Sequence, residues 1–235
     1  MPYFPYFYID PYYLLLVVPA LILSVIAQIQ VKTTFRRYQS VASRSGLTAA
    51  QACRLILDRN NLQNIGVETV AGELTDHYDP RARVIRLSAS VASSTSVAAI
   101  GVAAHEAGHA VQYQQNYFPI RVRAAIIPIT QIGTSIAPLL LIAGLLFSYQ
   151  PLVSVGLLGF FLMVVFQLVT LPVEFNASHR ALAALSEGGL MEPTEIAQTR
   201  KVLSAAAMTY VAALLVSLAN FLRLFLLFGG RRRND

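Results

Sequence analysis

The feature that most constrains the fold of this sequence is a set of four long apolar stretches. They cover residues 12–31, 126–149, 152–171 and 202–228, and the first three contain no charged residue. About 20 apolar residues suffice for a helix to cross the hydrocarbon core of a bilayer. Only 13% of the chain is charged, against roughly 25% in soluble domains. The sequence therefore predicts a mainly α integral membrane protein with about four transmembrane helices.

The distribution of basic residues predicts the orientation of these helices. Residues 1–11 contain no Lys or Arg but several Tyr and Phe, which favours an interfacial anchor over a cleaved signal peptide. Basic residues follow the first stretch and precede the second: Lys32, Arg36, Arg37, Arg44, Arg121 and Arg123. The positive-inside rule then places the N-terminus outside and residues 32–125 in the cytoplasm. We expect a multi-pass protein of the plasma (inner) membrane.

The fourth stretch leaves two alternatives open. It contains Arg223, and three further arginines follow it at positions 231–233. A full crossing would leave this basic tail outside, against the positive-inside rule. Otherwise the last segment does not span the membrane completely, or Arg223 lies near a helix end and reaches the interface.

The polar region between the first two stretches has its own pattern of helices and strands. Residues 47–60 predict an amphipathic helix, with Thr48 as its N-cap and Asn60 at its end. Residues 67–87 predict a small β-hairpin that turns at Asp79. Residues 93–115 predict one Ala-rich helix capped by a serine or threonine at its start.

The predicted Ala-rich helix contains the motif H-E-x-x-H, at His105, Glu106 and His109. Residues four apart lie on one face of a helix, so both imidazoles can reach one metal ion. Zinc accepts such ligands, and in this motif the glutamate serves as the general base. The helix is otherwise apolar, and buried histidines without a partner would be costly. The motif therefore predicts a zinc site.

A catalytic zinc usually has three protein ligands, and Glu174 is the strongest candidate for the third. The motif helix ends before the predicted hairpin of two transmembrane helices, and Glu174 follows directly after it. Two crossings return the chain to the same side of the membrane, so the three side chains can converge. The alternative is an acid in the first turn of a helix that follows Pro172. A solvated loop is expected for three other acids: Glu187, Glu192 and Glu195.

Four other polar residues are weaker candidates. His179, five residues after Glu174, turns away on a helix and is expected at the surface. His77 is interpreted as a polar turn residue, ahead of a role in stabilising the transition state. Arg180 either supports the site or faces lipid headgroups. Tyr210 either donates to an oxyanion or, as we prefer, bonds between helices.

Taken together, these segments resemble the bacterial membrane-bound neutral zinc metallopeptidases, the YugP-like family. The resemblance rests on residues 74–88, 102–112, 169–182 and 205–215, and on the intervening hairpin. The family is similar in plan to the HtpX-like membrane gluzincins. The resemblance implies that His105, His109 and Glu174 bind zinc and that Glu106 is catalytic.

The chain departs from the expected family pattern at two positions. Asn176 and Ser178 stand where acids are expected. Such acids orient ligand histidines, so their absence bears on how basic and how rigid these histidines are. By the same analogy, residues 83–87 form either an edge strand that binds an extended substrate or part of an ordinary two-stranded hairpin.

The predicted function is a membrane-embedded zinc metalloendopeptidase with a cytoplasmic active site, acting on membrane or membrane-proximal polypeptides. The alternative is an inactive membrane scaffold that retains a structural zinc. Nucleic acid is not expected as a partner, because the net charge of +6 comes without a basic-aromatic motif. The expected segments are a first helix with its aromatic start (1–31), a catalytic domain (32–125), a helical hairpin (126–171), a cytoplasmic segment carrying the third ligand (172–201), and a last helix with a basic tail (202–235).

Overall fold

A computed structural model describes residues 10–73 and 75–229. They form seven α-helices and a three-stranded sheet, and a π-helical turn, Tyr13–Val17, precedes the first helix. In chain order the elements are α1 (Val18–Gln39), α2 (Ala49–Arg59), β1 (Gly66–Val70), β2 (His77–Asp79), β3 (Val84–Ser88), α3 (Ala89–Ala92), α4 (Val97–Gln114), α5 (Phe118–Leu146), α6 (Gln150–Glu187) and α7 (Pro193–Phe228).

Four of these helices are long and apolar enough to cross a membrane: α1 with its preceding turn, α5, α6 and α7. Their most apolar windows have mean hydropathies of 1.8 to 2.5. Isoleucines, leucines and phenylalanines are widely exposed on these helices, as expected where lipid and not protein covers them. The predicted mainly α membrane fold is confirmed.

The helices extend beyond the apolar stretches, and most of the segment 172–201 is helical. Helix α6 continues through Pro172 to Glu187, and α7 already begins at Pro193. Proline inside a helix costs about 3 kcal/mol, but a buried stripe follows it at every fourth residue: Val173, Ala177, Ala181 and Leu185. Packing of this stripe offsets the local cost. Glu174 is consequently a mid-helix residue and not a first-turn acid.

The chain divides into two compact units. The first comprises residues 1–26, 125–168 and 210–235, and the second residues 27–124 and 169–209. Within the first unit α5 and α6 approach closely where Gly156 faces α5. A side chain there would lie 2.9 Å from the backbone nitrogen of Leu141. Small residues commonly permit such contacts between membrane helices.

The first unit also supplies a partner for Arg223. Its guanidinium donates to Asp10 Oδ2 over 2.6 and 2.9 Å and lies above the ring of Tyr13. A charge inside an apolar helix is expensive unless it is paired, and this ion pair lowers that cost. It also brings this part of α7 beside the start of the first helix. The basic tail at 231–233 lies outside the described residues.

The second unit is built around α4, which packs on α2 and on the sheet. Thr48 and Gln51 form the predicted cap of α2 as a reciprocal capping box. The helix predicted over 93–115 is observed as α4, and residues 93–96 form an interruption between α4 and the short helix α3 that precedes it. Ser96 ends the interruption, because its side chain accepts a hydrogen bond from Ala99 N and caps α4.

The sheet has the order β1-β3-β2, with β1 parallel and β2 antiparallel to β3. The alternative that β3 is an edge strand for substrate is therefore wrong, since both of its edges are already paired. The two-stranded hairpin is also incomplete, because β1 joins β3 from the other side. Arg86 of β3 forms ion pairs with Asp79 and Glu68 on its two neighbours, which helps to hold this mixed sheet together.

Candidate metal centre

Helix α4 presents His105 and His109 one turn apart on the same face. Their rings meet edge to face, with centroids 4.7 Å apart and planes at 85°. Both side chains are mostly buried, at 16% and 11% exposure. The remainder of α4 is largely Ala, Gly and Val, so these imidazoles are concentrated at one point of an apolar surface.

Helix α6 brings Glu174 to the two histidines. Its carboxylate is only 2% exposed, and Oε2 lies 3.3 Å from His105 Nε2 and 3.6 Å from His109 Nε2. His105 and Glu174 lie 69 positions apart in the chain, with all of α5 and the first part of α6 between them. The structure thus brings together the three residues that the sequence predicts as ligands.

The spacing of the three side chains fits a single zinc ion. One candidate ligand atom from each residue lies within 4.8 Å of the others. Two ligands about 2.0–2.1 Å from a tetrahedral zinc lie about 3.3–3.4 Å apart. The separations between Glu174 and each histidine are close to that value. Two imidazoles and one carboxylate are also a usual donor set for a catalytic zinc, which retains an open fourth position.

Glu106 lies beside the sheet and not in the ligand cluster. Its Oε2 accepts a hydrogen bond of 2.9 Å from the backbone N–H of Tyr78 in β2. Burial raises the pKa of Glu106, although the neighbouring imidazoles and this hydrogen bond partly oppose the increase. A buried carboxylate next to a potential metal site, with a raised pKa, suits a group that accepts and returns a proton.

Side chains from both helices hold the ligand histidines. His105 Nδ1 lies 3.1 Å from Ser178 Oγ, and His109 Nδ1 lies 2.9 Å from Gln112 Oε1. Such contacts leave Nε2 of each ring free to bind metal. The two residues that depart from the expected pattern therefore belong to this network. Ser178 contacts His105 directly, and Asn176 accepts a hydrogen bond from Gln112, which contacts His109.

Gln112 is the centre of this network and was not predicted from the sequence. Its Nε2 donates to Val173 O over 2.8 Å and to Asn176 Oδ1 over 3.0 Å. Arg180 Nε donates to the same Asn176 oxygen over 2.7 Å. The only sequence signal for Gln112 is its position three residues after His109, which places both on adjacent turns.

Arg123 is a second residue that the sequence did not indicate as part of the site. Its Nη1 donates to Glu174 Oε1 over 3.1 Å, while Glu174 Oε2 faces the histidines. Although burial alone would lower the pKa of His109, its hydrogen bond to Glu174 and the charge of Glu106 raise it. Arg123 thus fixes one carboxylate oxygen and leaves the other for the ligand cluster.

Other candidates lie outside this cluster. His179 is exposed, as expected, and His77 is an exposed residue of β2 whose ring contacts Thr75 O. Glu187 and Glu192 are exposed, but the prediction of a solvated Glu195 is wrong. Glu195 is buried and accepts hydrogen bonds from the backbone N–H groups of Arg44 and Glu192, because it caps the start of α7. For Tyr210 both alternatives stay predictions.

We predict that Gly108→Ala disrupts the centre, because α4 and α6 touch at this position. An added Cβ would lie 2.7 Å from the backbone oxygen of Ala177. Overpacking against backbone typically costs about 1–3 kcal/mol and would move Glu174 away from the histidines. The midpoint temperature of thermal unfolding and the zinc content should both decrease. Gly101→Ala, on the same helix, meets the methyl group of Thr199 and should have a smaller effect. Equal effects would contradict this explanation.

We predict that Gln112→Ala weakens zinc binding by about 10–100-fold, as is typical when a partner that orients a ligand histidine is removed. The measurement is competition for zinc with a chelator of known affinity. Gln114→Ala is the matched control, since Gln114 is exposed and, among the described residues, its side chain forms a hydrogen bond only with Asn60 O. If both variants bind zinc like the wild type, Gln112 does not orient His109 in the metal-bound protein.

The chain is similar to known proteins of one family. A family model described as "Putative neutral zinc metallopeptidase" matches residues 13–229. The "Putative membrane protease YugP" of Bacillus subtilis (strain 168) is 46% identical over 223 residues. The match covers 94% of this chain and 99% of that relative. No solved structure matches the chain.

Proposed function

Because this chain belongs to the neutral zinc metallopeptidase family, we propose that it is a membrane-embedded zinc metalloendopeptidase. The observation that carries the proposal is the convergence of His105, His109 and Glu174 within 4.8 Å, with Glu106 on the adjoining turn. A purely structural zinc site would have no use for that additional buried carboxylate. Hydrolysis of peptide bonds is the chemistry that this arrangement supports best.

His105, His109 and Glu174 would hold the zinc ion in this proposal. When bound, zinc lowers the pKa of a coordinated water towards 7 and polarises the scissile carbonyl. The chain supplies the rigidity that this chemistry requires. Ser178 and Gln112 orient the two rings, and Arg123 orients the carboxylate.

Glu106 would move the proton during hydrolysis. Its carboxylate accepts a proton from the attacking water and returns it to the nitrogen of the departing amine, so the group ends each cycle in its starting state. Burial raises the pKa of Glu106, which favours its acceptance of the proton. The hydrogen bond from Tyr78 N keeps the carboxylate directed along the sheet while the proton is transferred.

The substrate would be an extended polypeptide bound along β2. This strand pairs with β3 on one side only within the described residues. The hydrogen bond from Tyr78 N to Glu106 places the strand next to the proposed base. Strand addition at such an edge supplies backbone hydrogen bonds to an extended chain. Because β3 is the central strand, the proposed edge for substrate binding is β2.

Membrane or membrane-proximal polypeptides are the proposed substrates, and the cytoplasmic side of the plasma membrane is the proposed location of the site. The basic residues that flank the apolar stretches support this orientation. Glu174 also lies on the same continuous helix as the third apolar stretch. A soluble unfolded protein, offered in solution, should be cut more slowly than a membrane-anchored substrate in the same liposomes. Equal rates would contradict the substrate proposal.

Removal and restoration of the metal test the proposed activity. The full-length protein in neutral detergent should lose peptide cleavage with 1,10-phenanthroline and regain it when about one zinc per chain is restored. Elemental analysis run in parallel establishes that the chelator removed the metal. Cleavage that persists in demonstrably metal-free protein would contradict the proposal. Metal-loaded protein without cleavage of any peptide would favour an inactive scaffold.

A further inference from the structure

A cleft of about 450 Å³ lies between α2, α4 and α6 of the second unit. Gly108 and Val111 contribute to its lining from α4, whereas His105 and His109 face Glu174 on another side of that helix. The cleft has the size of a typical small-molecule site. It belongs neither to the ligand cluster nor to the β2 edge beside Glu106.

Two guanidinium groups line this cleft, and hydrogen bonds hold both in place. Arg59 Nη1 donates to Gly188 O over 2.7 Å. Arg180 donates from Nε to Asn176 and from Nη1 to Gln115, over 2.7 and 2.6 Å, and its guanidinium lies above the ring of Tyr117. Groups that are already fixed lose little entropy when they bind a ligand.

Each guanidinium retains unused donors. Within the part of the chain that the structure describes, Nη2 of Arg59 and Nη2 of Arg180 donate no hydrogen bond, and neither residue forms an ion pair. Glu187 also lines the cleft but pairs with neither arginine. The cleft therefore combines two fixed positive charges with one negative charge and has free N–H groups.

The rest of the lining is largely apolar and includes Ile56, Val111 and Ala183. A cleft of this volume exceeds the size of a lone inorganic anion and leaves room for an organic group. Two guanidiniums neutralise a dianion better than a monoanion, and their planar forks match the oxygens of a phosphate group. We propose that this cleft binds the phosphate monoester of a small organic molecule, a function separate from peptide hydrolysis.

Binding of phenyl phosphate to the full-length protein in a neutral detergent tests the proposal. Calorimetry and thermal shift should both detect saturable binding, since a ligand that binds only the folded state stabilises it. Phenyl phosphate should bind more tightly than inorganic phosphate, because its ring contacts the apolar lining, and more tightly than benzoate, because benzoate is a monoanion. Vesicles with phosphatidate, but not with phosphatidylcholine, should compete only if the natural phosphate belongs to a lipid.

Three substitutions locate the site. Arg59→Gln and Arg180→Gln should each weaken phenyl phosphate binding by about tenfold, the usual effect of losing a charge-assisted hydrogen bond. Ala183→Asp adds a negative charge and should weaken binding without removing either arginine. Arg81→Gln is the control, because Arg81 is an exposed residue of the β2–β3 turn and should leave binding unchanged.

Two outcomes would overturn the proposal. One is the absence of saturable phenyl phosphate binding to the wild-type protein. The other is unchanged affinity in both Arg59→Gln and Ala183→Asp, which remains decisive even if Arg180→Gln fails to fold. Zinc content should stay the same in Arg59→Gln, so a failure of this proposal is distinguishable from a failure of the proposed peptidase.

Discussion

Glu106→Gln is expected to abolish measurable peptide cleavage while the protein retains its zinc. Glutamine has nearly the same shape as glutamate, and its amide oxygen can still accept the hydrogen bond from Tyr78 N. It cannot take a proton from water, however, and general base catalysis typically contributes about 10²–10⁴-fold to the rate. The measurement is the rate of cleavage of a quenched fluorescent peptide, with zinc content determined on the same samples.

The matched control for this substitution is Glu68→Gln, which changes an exposed carboxylate of β1 and should leave both readouts unchanged. The result separates the two candidate functions. A peptidase loses cleavage and retains metal, whereas an inactive scaffold has no cleavage to lose. If Glu106→Gln cleaves peptides at the wild-type rate, another group must serve as the base.

Glu174→Ala is expected to remove zinc from the protein almost completely under mild chelation, while the wild type retains about one ion per chain. The substitution leaves two imidazoles without the third donor, and Arg123 loses its acceptor. An unpaired guanidinium next to two histidines repels a dication, so the loss should exceed that of a ligand on a flexible surface. Elemental analysis of the purified protein, before and after dialysis against chelator, measures the effect.

His179→Ala is a sharp control for Glu174→Ala. The two residues lie five positions apart on α6, but His179 is exposed and belongs to no cluster of potential ligands among the described residues. Its removal should leave zinc content unchanged. If zinc is retained in Glu174→Ala but lost in His179→Ala, the third ligand is the exposed imidazole and not the buried carboxylate.

Prediction from sequence succeeded where residues close in the chain decide the outcome. The spacing of His105 and His109 follows from the helical repeat alone, and the structure shows both on one helix face. Glu174 could be predicted because a hairpin of two membrane-crossing helices must return the chain to its starting side. Thr48 and Ser96 as caps needed only the local preference of hydroxyl side chains for helix starts.

The failures have a different physical origin. A solvated loop was predicted around Glu187, Glu192 and Glu195, yet Glu187 belongs to α6 and Glu195 is buried in α7. Packing energy from another part of the chain outweighed local preference. Strand β3 was predicted as a possible edge strand because no local signal in residues 66–70 indicates that β1 pairs with it in parallel.

For this protein, the sequence by itself determined the membrane class, the position of the motif helix and three candidate ligands, because hydropathy and helical spacing are local properties. Only the tertiary structure decided which side chains hold those ligands. Gln112, Arg123 and Ser178 reach the site through contacts between α4, α6 and the start of α5, and an ordinary polar residue has no pattern that reveals such a partner. These roles follow from the burial of the side chains and from the distances between them, and both are set only when separate helices pack together.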